Sequence, residues 1–165
     1  MNINQCIDLI EKSLDSPTKG LPENIFLLLS RLTPLINVDL LIKNDQNQTL
    51  LTWRRAGEIY DPGWHIPGGI VRYKEKIVER IQAVAKNELN SKVVFSDTPL
   101  AINEIMLKQI NRGHFISLLY SCKLIHEPDV HLRYLQGKPK IGEWAWHDSC
   151  PNELIFPHKI YKKFI

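Results

Sequence analysis

One long amphipathic stretch, residues 75–89, sits among short strand-like runs, and helical periodicity recurs only towards the two ends of the chain. A glycine turn, Pro67-Gly68-Gly69, leads into that stretch. Together these patterns predict a mixed α/β sandwich, with strands surrounding one central helix and helices at both ends. At 165 residues the chain can bury one substantial core but not two comfortable ones, so a single domain is expected.

Ile3, Ile7, Leu9, Ile10 and Leu14 give the first segment the spacing of a short amphipathic helix, ended at Ser16-Pro17 because proline disfavours helical geometry in the residue before it. A second helix is expected from Pro22-Glu23 to about Leu32, with proline and an acid in its first turn. The period then changes. Leu35 to Lys43 and Thr49 to Arg55 are apolar-rich runs separated by the polar cluster Asn44-Asp45-Gln46-Asn47-Gln48, and they read as a hairpin. Gly57, Asp61, Pro62 and Gly63 make residues 56–63 a loop.

Within the long stretch, Ile77, Val78, Ile81, Val84, Ala85 and Leu89 share one face, while Glu75, Glu79, Gln82 and Lys86 take the other. Asn90 stands at its C-cap, where asparagine tolerates a left-handed conformation better than most residues. Strands are expected at residues 93–95, 101–107, 114–123 and 143–147, and Asp148-Ser149 can cap a last helix beginning near Pro151.

Composition narrows the function classes. No uninterrupted apolar run approaches the roughly 20 residues that a membrane helix needs; a candidate such as Ile25 to Leu29 is only a buried turn. The first residues lack a basic segment followed by an apolar one, so a cytoplasmic protein is expected. Cys6, Cys122 and Cys150 are odd in number and lack metal-type spacing, which makes them reduced packing residues. The net charge of +3 is mild and spread along the chain. It suits an anionic small ligand, and with no nucleic-acid motif in the sequence neither nucleic acid nor membrane is an expected partner.

The glycine turn and the helix after it resemble the Nudix box, in which a glycine is followed after five residues by a glutamate and after seven more by Arg-Glu-aliphatic-x-Glu-Glu-x-Gly. Gly69 and Glu75 match; Ala83, Val84, Asn87 and Asn90 replace the arginine, two glutamates and the last glycine, and Glu88 alone survives of the acidic trio. Trp64-x-x-Pro67-Gly68-Gly69, the Glu143-Trp144 strand and the Glu153-Leu154 helix start extend the resemblance over about residues 35–160, leaving residues 1–32 as an N-terminal helical segment. The expected fold is thus the Nudix α/β/α sandwich. GDP-mannose mannosyl hydrolases, a subfamily whose box ends Ala-Glu-Leu-Gly, are similar at Asn87-Glu88-Leu89-Asn90. Thr33-Pro34-Leu35, Val38-Asp39-Leu40 and Leu50 to Arg55, followed by an eight-residue loop to Trp64, resemble that subfamily in order and spacing.

The resemblance implies a magnesium-dependent hydrolase of a nucleoside-diphosphate sugar, in which water attacks the anomeric carbon and the nucleoside diphosphate leaves. Glu88 with a backbone carbonyl of Gly68 or Gly69 is the implied Mg2+ site. Arg55 falls on an arginine that helps the diphosphate depart, Asp39 on an aspartate that contacts the leaving nucleotide, and His114 on an active-site histidine. Arg72 lies two residues beyond the place of another substrate-binding arginine, now Ile70. Lys140 and Ile141 stand where the subfamily has a metal-binding glutamine and a basic histidine, so His131, His147 and Glu143 remain open for the base. Enzymes of this kind also imply a homodimer.

Each residue has a plainer reading: a solvated helix end for Glu88, a turn for Gly68-Gly69, surface charge for Arg55, a salt bridge for Asp39 and a structural histidine at a strand end for His114. An alternative function is a catalytically inactive domain that binds a nucleotide or nucleotide sugar. A pyrophosphatase cutting between phosphates fits worst, because Val84 and Asn87 cannot supply its acids.

Overall fold

The structure is a computed structural model that describes residues 1–57 and 60–165. Helices α1 (Ile3–Lys12) and α2 (Glu23–Leu29) precede strands β1 (Leu35–Ile42), β2 (Thr49–Arg54), β3 (Gly63–His65) and β4 (Gly68–Ile70). Helix α3 (Ile77–Leu89) follows, then β5 (Val93–Phe95), β6 (Ala101–Met106), β7 (His114–Leu124) and β8 (Trp144–His147). Phe156–Tyr161 closes the chain as a tight 3-10 turn.

The strands form two sheets. One runs β4-β1-β7-β5, with β6 also on β7, and the other runs β3-β2-β8. β1 and β7 are parallel with Asp39 opposite Leu119, while β4 lies antiparallel on the other edge of β1 with Gly68 opposite Asp39. Strand alternation then divides the interior. Val38, Leu40, Ile42, Tyr120 and Cys122 pack with Leu50 and Trp144 against Ile81, Val84, Ala85 and Leu89 of α3. Leu41, Leu51, Trp53, Trp64 and Leu119 pack on the opposite side with Leu154 and Tyr161 from the C-terminal segment. Asp39 and Ser117 therefore face that second side.

Three expectations are corrected. Residues 35–55 do not form a paired hairpin: beyond one Lys43–Thr49 bridge, β1 and β2 diverge into different sheets. The physical reason is their burial, since Leu40 to Ile42 and Thr49 to Trp53 are covered on both faces, which a half-solvated hairpin does not allow. The polar turn between them does form, with Asn44 Oδ1 accepting the backbone N–H groups of Gln46 and Gln48. Gly63, expected to end the loop of residues 56–63, instead opens β3, which pairs with β2. The final helix is a 3-10 turn beginning at Phe156, and Asp148, expected to cap it, accepts Gln48 Nε2 instead. Asn90 ends α3 at φ 50° in the left-handed region, its amide oxygen accepting Lys86 Nζ at 2.5 Å.

No helix of the described residues is long and apolar enough to cross a membrane.

Candidate active site

A cleft of about 240 Å³ opens beside β4, lined among others by Asp39, Arg54, His65, Gly68, Gly69 and His158. Asp39, Arg54 and His65 are set by their places on β1, β2 and β3, and His158 by the C-terminal turn. β4 lies close because its first two residues lack side chains. A Cβ on Gly68 would stand 2.2 Å from Asp39 Oδ1, and one on Gly69 2.9 Å from Val84 of α3.

Glu88 projects from the last turn of α3 towards this backbone. Gly68 N–H donates to its Oε1 at 3.1 Å, and the Thr52 hydroxyl lies 3.0 Å from its Oε2. Burial raises its pKa to about 7, against the lowering effect of those hydrogen bonds and of the Arg54 charge. The helix C-terminus adds to the cost of a negative charge there. Hydrogen counting gives the same result. His65 Nδ1 donates to Ile66 O, so in the neutral ring Nε2 is an acceptor, and it lies 2.9 Å from the same Thr52 hydroxyl. Thr52 has one proton and two acceptors. The chain is satisfied when Glu88 carries a proton that it donates to Thr52, leaving Thr52 to donate to His65.

Asp39 is 1% exposed and sits in a second network. Its Oδ2 lies 2.5 Å from both Ser117 Oγ and Tyr161 Oη, which are 2.6 Å from each other, while Asn37 Nδ2 donates to Oδ1. Three mutually close oxygens need three hydrogens, and the two hydroxyls bring only two. A protonated Asp39 supplies the third, in accord with a pKa raised by burial.

The remaining groups are cationic or neutral. Arg54 makes no salt bridge with a described carboxylate, and its charge is felt at Asp39, Glu88, His65 and His158. Its guanidinium lies 5.7 Å from the Tyr60 ring. His158 Nδ1 accepts Ile66 N–H at 3.1 Å, and burial together with Arg54 pushes its pKa down to about 3. Both histidines are thus held neutral.

Of the residues singled out from the sequence, Asp39, Gly69 and Glu88 come together here. Arg55 lies beyond the end of β2, exposed and outside the lining, and it is its neighbour Arg54 that reaches the cleft. His114 is on the face of β7 opposite Phe115, which lines the cleft, and it pairs with Glu104 at 3.1 Å. Arg72 is exposed near Gly20. Lys140 and Ile141 are exposed, and neither they nor His131, His147 and Glu143 line the cleft. Sequence reasoning missed His65, His158, Thr52, Ser117 and Tyr161. His65 could have been found, since it lies two residues before Pro67; Tyr161 and His158 carry no local signal.

A magnesium ion keeps several waters and is commonly held by one or two carboxylates plus substrate phosphates. Glu88 fits a single ion on those terms, because a cation would relieve its buried charge and release the Thr52 proton to His65. A multi-metal cluster does not fit: among the described residues no three His, Cys, Asp or Glu side chains converge on a metal position.

No family model matches the chain, and no curated protein matches it. Among solved structures it is similar to a MutT NUDIX hydrolase from Burkholderia pseudomallei, at 20% identity and a TM-score of 0.59, covering 81% of this chain and 98% of that one. A UDP-X diphosphatase gives 19% identity and a TM-score of 0.55 over 97% of this chain and 73% of the other. An ADP-ribose pyrophosphatase from Streptococcus suis gives 16% and 0.53 over 77% and 83%. With its strand order, its central helix and the glycine turn against that helix's acidic end, the chain has the Nudix fold.

Proposed function

We propose that the protein hydrolyses a nucleoside-diphosphate sugar, as GDP-mannose mannosyl hydrolases do, with one Mg2+ held by Glu88 and the Gly68–Gly69 backbone. The lone carboxylate carries this reading. Of the three acidic box positions, 84 is a buried valine packed against Gly69, 87 is an exposed asparagine, and only 88 brings a carboxylate to the glycine turn. One acid suits attack at the sugar carbon, where the ion when bound need only stabilise charge building on the departing diphosphate.

Arg54 takes the leaving-group role expected of Arg55, because a fixed guanidinium inside the cleft can grip diphosphate oxygens. Asp39, kept neutral by burial and with its proton shared with Ser117 and Tyr161, shapes the pocket of the leaving nucleotide without adding a repelling charge. His65 Nε2, relayed through Thr52, accepts the proton from water. It is a weak base, adequate where departure of the diphosphate has already made the sugar carbon electron-poor. Arg72 and His114 lie outside the cleft lining and are given no direct role in this reading. The exposed apolar face of α1 supports a homodimer as the assembled state.

A second reading, binding without turnover, is favoured by the neutrality of both cleft histidines, whose acceptor nitrogens are already engaged. One experiment separates the two. The protein is incubated with Mg2+ and GDP-mannose, GDP-fucose, GDP-glucose, UDP-sugars and ADP-sugars, followed by proton NMR of anomeric signals and chromatography of nucleotides. Nucleoside diphosphate with free, inverted sugar is the expected result. Intact substrate with measurable affinity moves the assignment to a binding protein, and nucleoside monophosphate replaces it with a pyrophosphatase.

A further inference from the structure

The cleft extends past Asp39 along β7 to the tip of the β6–β7 loop, where Leu107, Gln109, Arg112 and Phe115 complete its wall. Phe115 is four residues from Leu119, the register partner of Asp39, a span of about 13 Å along the strand. That span is comparable to a nucleoside diphosphate laid with its phosphates at Arg54.

The loop tip is held in a costly conformation. Arg112 has φ 53°, and a Cβ on the next residue, Gly113, would stand 2.5 Å from Gln109 O. Segment 23–31 fixes it from outside. Arg112 N–H donates to Ser30 Oγ at 3.1 Å, Arg31 Nη1 donates to Asn111 Oδ1 at 2.6 Å, and the Arg112 guanidinium lies 4.7 Å from the Phe26 ring centroid with Glu23 at 3.7 Å. Gln109 Nε2 donates to Arg112 O at 2.7 Å. A planar cation backed by an aromatic ring and partly neutralised by a carboxylate is poorly suited to gripping an anion. It is well suited to presenting a flat face on which a base can stack.

We infer that the β6–β7 loop tip is the nucleobase subsite: Arg112 is the stacking face, and α2 with the residues after it is the element that positions it. The N-terminal segment then belongs to the substrate site. This inference rests on the reading of the cleft as a nucleoside-diphosphate site.

Calorimetric titration of the full chain with GDP, ADP, UDP and base-free pyrophosphate, each with Mg2+, tests it. In the wild type at least one nucleoside diphosphate should bind about tenfold or more tighter than pyrophosphate, the increment expected of base stacking. Arg112→Ala should remove that increment and leave pyrophosphate affinity unchanged. Arg112→Lys should not restore it, because an ammonium offers no plane. Phe26→Leu, which leaves Arg112 in place, should remove part of it. Equal loss for pyrophosphate and nucleotide would make Arg112 a phosphate ligand and overturn the assignment, as would unchanged binding in all three variants. Failure of the wild type to bind any of these probes would overturn the inference together with the functional reading beneath it.

Discussion

Thr52 places a single proton between Glu88 and His65, and that shortage makes Glu88 the residue on which stability and function diverge. Its pKa is raised from 4.5 to about 7, so folding favours its protonated form. The contribution is full below about pH 4.5 and is lost as pH rises through 7, a cost of roughly 3 kcal/mol to the metal-free protein in alkaline solution. The histidines act in the opposite direction, since their lowered pKa values remove stability as pH falls below their ordinary 6.5. The difference between wild type and Glu88→Gln isolates the carboxyl. The glutamine can accept Gly68 N–H and donate to Thr52 like the protonated acid, so denaturation midpoints should converge near pH 4.5 and favour the variant by pH 8. Parallel curves would mean that folding does not raise the pKa of Glu88. Mg2+ should stabilise only the wild type. Arg54→Ala should weaken nucleoside-diphosphate binding by about tenfold or more, whereas Arg55→Ala should change it less than twofold; the reverse ranking in titration would return the leaving-group role to Arg55. At this scale spacing singled out Asp39, Gly68 and Glu88, and the fold brings these three together. Spacing did not separate Arg54 from Arg55, because β2 ends between the two and only Arg54 lines the cleft.

Among the elements, the C-terminal segment contributes most that local pattern could not show. Trp64 N–H donates to Glu153 O and Ile155 N–H to Trp64 O, so residues 153–155 run beside β3 and carry His158 to the cleft wall and Tyr161 to Asp39. The mixed basic and apolar spacing of the last nine residues shows only that they pack, since their partners lie up to 122 positions away. Strands β5, β6, β7 and β8 were readable because alternation and turn residues bound them. β3 and β4 were not, being three residues each and rich in glycine, with pairing decided by tertiary neighbours. Gly63 shows how tightly these segments join, since a Cβ there would stand 2.2 Å from the backbone oxygen of Glu153. Gly63→Ala should therefore cost about 2 kcal/mol or more in chemical denaturation, because backbone on both sides must move. An unchanged midpoint would show that the segment can lift from β3 freely, and the placement of Tyr161 against Asp39 would lose its support.

For the whole molecule, the amphipathic pattern of the first segment correctly forecast a helix while leaving open what covers it. α1 is closed by a reciprocal cap, with Asn2 and Gln5 each accepting the other's backbone N–H, yet none of its residues is buried. Ile3 is 73% and Leu9 57% exposed. A ten-residue helix is marginal alone in water, and helices generally owe their stability to packing an apolar face. α1 therefore adds little to the fold of one copy, and its face is the surface on which a second copy would gain most. Removing residues 1–13 should leave the unfolding free energy of dilute protein within about 0.5 kcal/mol of the full chain. Sedimentation at rising concentration should show the full chain associating and the shortened one remaining monomeric. Because α2 begins ten residues beyond the cut and holds Arg112 independently, nucleotide affinity of the shortened monomer should be retained. A loss of stability beyond 2 kcal/mol in dilute solution would instead place α1 on its own domain, and unaltered association would move the dimer contact to another face.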